Sequence, residues 1–187
     1  RSDSFIGEDL SFRPYFRDAE SSGSGRFFGI GTTHGEPGYY LSSALHDGGQ
    51  MLGVAVVKVS LEQLEKSWAT VEAPVFVADE NGVLILSSVP EWKFTLLRPV
   101  DDTTRSAFDR SQQYNRRALQ PLGVREVKRL GDGMRVVHVA RSEAVSASVY
   151  PISGLFLAQS QPLQGTPWSL TVFSHIEQVD EMSLVRS

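Results

Sequence analysis

The nonapeptide Leu52 to Ser60, LGVAVVKVS, constrains the fold more than any other stretch of the chain. In an extended backbone Val54, Val56 and Lys58 fall on one side and Ala55, Val57 and Val59 on the other, so both faces are apolar apart from one ammonium group. Such a segment reads as a central strand with a lysine in it. Burying an unpaired ammonium costs several kcal/mol, about what the burial of two or three neighbouring valines returns. Lys58 therefore either snorkels from the strand end to water or faces an anion. Which of the two holds depends on whether the neighbouring sequence supplies the rest of an anion pocket.

Residues 1 to 11 read as a loop. Ser11 is placed to cap a short helix from Phe12 to Glu20, in which Phe12 and Phe16 share a face and Arg13 lies beside it. SSGSG (21 to 25) ends that helix, and RFFGIGTT follows, with Phe28, Ile30 and Thr32 alternating with Gly29 and Gly31. That pattern predicts a strand whose glycine side is approached closely by another group. Turns at HGEPG (34 to 38) and HDGGQ (46 to 50) bracket a second strand, YYLSSAL (39 to 45), and the Lys58 strand comes third. Short turns between consecutive strands give an antiparallel meander. LEQLEKSW, with Leu61, Leu64 and Trp68 at helical spacing, closes this part.

A second unit starts at APVFVADENGVLILSS, a hairpin about Glu80-Asn81-Gly82. WKFTLLRPV is a short extended piece, and DDTTRSAFDRSQQYN a polar helix capped at its Asp101 to Thr103 end. MRVVHVA, VYPISGLFLAQSQPL and WSLTVFSHI are three further strands, and IEQVDEMSLVRS reads as the start of an exit helix. The expected architecture is thus α+β: two units on antiparallel sheets, residues 1 to 70 and 71 to 187. Three strands with one covering helix make an incomplete first unit, because a sheet of about five strands is usual. The expectation is that material preceding Arg1 completes it, or that a second molecule does, as in a homodimer.

Composition and motifs exclude several functions. With 187 residues and 41% hydrophobic content the chain is globular and long enough for two cores. No run approaches the roughly 20 apolar residues of a membrane span, and RSDSFIGEDL lacks the layout of a signal peptide, so the chain as given is expected to be soluble. Zero cysteines exclude disulfides and thiolate metal sites. The net charge is −4, and the first 68 residues hold six Lys/Arg against nine Asp/Glu, which argues against nucleic acid as a partner. GIGTTHG has its third glycine one position late for a dinucleotide loop and leads to a turn. ADENG lacks the closing acid of a calcium loop, and His34, His46, His138 and His175 lack metal-ligand spacing. No nucleophile is paired with a base, so neither catalysis nor a cofactor is expected.

An anion pocket is therefore the functional feature to assemble. Arg13 offers a planar fork, Lys58 a point charge, and the hydroxyls of Thr32, Thr33, Tyr40 and Ser42 can orient a ligand. With Thr32 on the Phe28 and Ile30 side, the meander can bring Tyr40 and Lys58 to that same face, beneath Arg13 of the covering helix.

FRPYF (12 to 16), FFGIGTT (27 to 33), GYYLSSAL (38 to 45) and GVAVVKVSLEQLEKSW (53 to 68), with VADENGVLILSS, Trp92 and QPLQGTPWSL further on, resemble the sensor region of DctB-type C4-dicarboxylate sensor histidine kinases. The resemblance runs over nearly the whole chain. It implies a tandem PAS-like (PDC, double-Cache) periplasmic fold whose distal unit, here without its N-terminal helix and first strands, binds succinate, fumarate or malate. It also implies flanking transmembrane helices and a cytoplasmic kinase beyond this chain. Carried over by motif, Arg13, Thr32 and Lys58 would bind the carboxylates, with Thr33 and Tyr40 as neighbours and Tyr15 lining the pocket. Rival readings are a double-Cache sensor of amino acids or other carboxylates in a chemoreceptor or cyclase, for which Asp18 is the nearest acidic partner, and a plain interaction domain with Lys58 snorkelling.

Overall fold

A computed structural model describes residues 7–31, 35, 37–143 and 148–177. The chain forms two units, one of Arg1–Leu61 with Asp101–Arg117, the other of Glu62–Val100 with Ala118–Ser187. The α+β class and the antiparallel sheets are as expected. The division differs from a single cut after residue 70, because the segment after Asp101 returns to the first sheet while the short helix after Leu61 belongs to the second unit.

In the first unit, helix α1 (Pro14–Ser22) precedes strands β1 (Ser24–Ile30), β2 (Pro37–Asp47) and β3 (Gln50–Val59), which pair antiparallel in that order. The helix starts later than the Ser11 reading had it. Its N-cap is Arg13, which makes no side-chain capping bond, and Pro14 supplies the preset φ that suits a first helical residue. The Ser11 amide instead bonds the Asp9 carboxylate. Gly23, at φ 89°, closes the helix in the left-handed conformation that a residue with a Cβ adopts reluctantly.

The central-strand expectation for the Lys58 segment is corrected. Among the described residues β3 pairs with β2 alone and lies at the sheet edge, with Val56, Val57 and Val59 each at least 40% exposed. Two apolar faces signal burial on both sides, yet they carry no information about which strands are present to provide it. The buried part of this unit is instead Phe27, Phe28 and Ile30 of β1, Tyr15 and Ala19 of α1, and Phe108 and Tyr114. The last two belong to helix α3 (Asp102–Ser111) and the turn after it, and they meet edge to face with ring centres 4.9 Å apart. The cap expected for this helix is present: the Asp101 carboxylate accepts the Thr104 amide at 2.7 Å.

The second unit carries helix α2 (Glu62–Lys66) and a six-stranded sheet of order β5-β4-β9-β8-β7-β6. Its strands are β4 (Val75–Ala78), β5 (Leu84–Ser87), β6 (Val124–Gly131), β7 (Met134–Val139), β8 (Gly154–Pro162) and β9 (Ser169–His175). The Asn-Gly hairpin forms as expected, with the Asp79 carboxylate accepting the amides of Asn81 and Val83. Strand β6, VREVKRLG, is additional to the expected set, its apolar signal being diluted by four charged residues. Helix α2 is held by Glu65, which takes the Ser87 amide at 3.0 Å and the Lys93 ammonium at 2.8 Å. Phe76, Trp92, Phe156 and Phe173 fill the core, with Phe173 perpendicular to Phe76 at 5.1 Å. The expected exit helix lies largely beyond the described residues.

Candidate functional site

Register decides which side chains of the first sheet meet. Phe27, Tyr40 and Lys58 stand in one row across β1, β2 and β3, Gly25, Ser42 and Val56 in another, and Gly29 is paired with Gly38. Directly opposed residues project to the same side, so these form one face. Helix α1 covers it so closely that a Cβ on Gly25 would come within 2.7 Å of the Tyr15 carbonyl. Ser42 Oγ donates to that same carbonyl at 2.6 Å.

This face is the glycine side of β1, which reverses the expectation that Tyr40 and Lys58 share the Phe28 and Ile30 side. Phe28 is paired with Tyr39 and Ile30 with Pro37, on the opposite face. The alternating glycines predict close approach, and the helix approaches there. Thr32 and Thr33 lie outside the described residues.

Arg13 is 2% exposed. Its Nη2 donates to the Ile30 carbonyl at 2.7 Å and its Nη1 to the Gln112 carbonyl at 3.1 Å, while its guanidinium carbon lies 5.5 Å from the ring centres of both Phe12 and Phe27. Among the described residues it forms no bond to a carboxylate. Burial lowers the pKa of the guanidinium from its ordinary value, opposed by the phenol groups of Tyr40 and Tyr15. Two charge-assisted bonds return roughly 1.5–3 kcal/mol each against a desolvation cost of several kcal/mol. Both acceptors are neutral, so the positive charge is held in place without being cancelled. Among the described residues two of the five guanidinium donors are engaged.

Tyr15 is 4% exposed and stacks on Tyr40, with ring centres 5.1 Å apart and planes 16° from parallel; Phe27 completes the cluster at 6.1 Å from Tyr15. Burial raises the Tyr15 pKa from its ordinary value, opposed by the Arg13 guanidinium. Lys58 lies at the exposed edge, but its stem folds inward over Gly38. A Cβ there would sit 2.6 Å from Lys58 Cε and 2.9 Å from Cγ. A Cβ on Gly29, paired with Gly38, would lie 3.0 Å from Arg13 Nη1. Two bare positions side by side on the sheet thus give room to the two cations.

Sequence reasoning missed Gln112 and Gln113. They follow α3, and their local sequence carries no motif; 99 residues separate Gln112 from the arginine it holds. The second unit has a cavity of its own of about 440 Å³, lined in part by Trp92, Tyr150 and Ile152, with one arginine, Arg141, and one carboxylate, Glu91.

No family profile matches the chain. The C4-dicarboxylate transport sensor protein DctB of Pseudomonas aeruginosa is 31% identical over 174 residues, 93% of this chain and 24% of that protein. The protein of the same name from Rhizobium meliloti is 33% identical over 130 residues, 70% of this chain and 21% of that one. The crystal structure of the sensor domain of the histidine kinase DctB from V. cholerae superposes with a TM-score of 0.78 at 25% identity, covering 95% of this chain and 66% of that one. The chain belongs to the DctB sensor-domain family. It spans about a quarter of the length of the DctB proteins it matches in sequence, and two thirds of the DctB sensor domain it matches in structure. The face under α1 brings together the buried guanidinium of Arg13, the buried ring of Tyr15, the half-buried Tyr40 and the exposed-edge ammonium of Lys58.

Proposed function

We propose that the first unit binds a C4-dicarboxylate such as succinate, fumarate or malate, one carboxylate on the Arg13 guanidinium and the other on the Lys58 ammonium. The observation that carries this reading is the buried Arg13, bonded only to neutral carbonyls among the described residues, beside the paired glycines that seat both cations. A charge kept out of water but not neutralised gains most from an anion that arrives with matching geometry. Two cations, seated over the paired Gly29 and Gly38, answer two carboxylates. Tyr40 and Tyr15 line the ligand, with Thr32 and Thr33 as further hydroxyl contacts.

The parent protein is then a sensor histidine kinase anchored in the inner membrane by helices flanking this chain, with the chain on the periplasmic side. Binding biases two packings of the sensor, and the bias passes through the second unit to the segment after His175. The names of the DctB relatives support this reading. Titration calorimetry with succinate on wild type, Arg13→Ala and Lys58→Ala tests it. Binding to the wild type with strong loss in both variants is expected; equal affinity in all three proteins refutes the clamp.

A further inference from the structure

The site described above holds Arg13 by two main-chain carbonyls, and the one that is not on β1 comes from the turn at the end of α3. Gln112 is the helix C-cap at φ 50° and ψ 35°, a left-handed conformation that a residue with a Cβ holds only where its surroundings enforce it. Asn115 and Arg116 are also left-handed, at 51° and 57°. The enforcement comes from the neighbour. Gln113 is 8% exposed; its Nε2 donates to the Phe28 carbonyl at 3.0 Å and its own carbonyl accepts the Ile30 amide at 2.7 Å. Gln113 is thus fastened to β1 at two points, once by its side chain and once by its main chain. Tyr114, 1% exposed, packs its ring on Phe108 and anchors the other side of the turn.

We propose that Gln113 is a positioning residue for the carboxylate site: by pinning the turn to β1 it aims the Gln112 carbonyl at Nη1 of Arg13 and so sets the direction in which the guanidinium fork faces a ligand. This rests on the dicarboxylate reading for its consequence, but not for its geometry. The chemistry suits the task, because a carboxylate in the place of the Gln112 carbonyl would neutralise the arginine and compete with the ligand. A neutral carbonyl orients the fork and leaves its charge available. A carbonyl cannot be removed by substitution, so the side chain that fixes it is the handle.

The test uses Gln113→Leu, which keeps the reach and removes the donor, and has two readouts. The first needs no ligand: the side-chain N–H signals of Arg13 in a nitrogen-15 spectrum, assigned with Arg13→Lys. In the variant their exchange with water is expected to quicken by about tenfold, the scale of one hydrogen bond released. The second is calorimetry with succinate, where affinity is expected to fall by about tenfold while the circular dichroism of the protein is unchanged. Unaltered Arg13 signals in a folded variant overturn the proposal, and so does altered signalling from Arg13 with unaltered succinate affinity. Should wild type fail to bind succinate while the Arg13 signals respond, the positioning stands and the dicarboxylate reading falls. If Gln113→Leu does not fold, Gln113→Asn, one methylene too short to reach Phe28, is read by the same criteria.

Discussion

Gly38→Ala isolates the contribution of Lys58 without touching its charge. The added methyl would lie 2.6 Å from Lys58 Cε, 2.9 Å from Cγ and 3.2 Å from Cδ, and no backbone atom is among these nearest neighbours. A lysine stem is flexible, so it swings off the sheet and the fold survives, with a change in stability below about 1 kcal/mol. The ammonium then leaves the face it shares with Tyr40. Losing one charge-assisted partner of a carboxylate costs about 1.5–3 kcal/mol, so succinate affinity should fall by roughly ten- to a hundredfold. Two other glycines calibrate the result. A Cβ on Gly29 would meet the Phe27 ring at 2.5 Å and the Gln113 carbonyl at 3.0 Å, neighbours that cannot step aside, so Gly29→Ala should destabilise by about 1–3 kcal/mol. A Cβ on Gly53 meets nothing within 4 Å, and Gly53→Ala should leave binding unchanged and stability equal or up to about 1 kcal/mol higher. Thermal melts and succinate calorimetry on the three variants check the series. If Gly38→Ala binds succinate as tightly as wild type, the inward path of the Lys58 stem has no bearing on the ligand and the reasoning fails.

Ser42→Ala removes the 2.6 Å bond that ties β2 to the carbonyl of Tyr15, and a chemical-denaturation midpoint should report a loss of about 1–3 kcal/mol. Phe173→Ala empties the centre of the second core, where three aromatic rings lie within 6 Å of it, and should cost about 3–5 kcal/mol in the same assay. Asp101→Ala removes the cap of α3. The Thr104 amide lowers the folded-state pKa of Asp101, so its contribution is present above the ordinary carboxylate range and is lost as pH falls through the lowered value. Melting curves should show the variant less stable at pH 7 and the gap closing in strong acid; a gap independent of pH contradicts the capping account.

Local chemistry was legible in the sequence wherever it sets structure by itself. Asp101 caps α3, Asn81-Gly82 turns a hairpin, and the alternating glycines of β1 mark the side on which a helix comes close. Arg13, Tyr40 and Lys58 could be singled out because a guanidinium, a phenol and an ammonium stand in otherwise apolar segments that consecutive strands and a covering helix bring together, and Tyr15 through the FRPYF motif. What depends on distant partners was not legible. The apolar pattern of β3 calls for cover on both faces, and the edge position it takes is a property of the sheet and not of the nine residues. The face shared by Tyr40 and Lys58 follows from a pairing that puts Phe27, not Phe28, opposite Tyr40, a shift of one residue that sequence spacing across an intervening turn does not fix. Gln113 reaches β1 across 85 residues with two hydrogen bonds, and nothing in SQQYNRR announces them.

The most direct measurement is a crystal structure of this chain grown with succinate. The account predicts one ligand carboxylate within hydrogen-bonding distance of the Arg13 guanidinium, the other within reach of the Lys58 ammonium, and the Gln112 carbonyl still bonded to Arg13 Nη1. A ligand bound elsewhere, or Lys58 extended into bulk solvent with succinate present at saturating concentration, would contradict it.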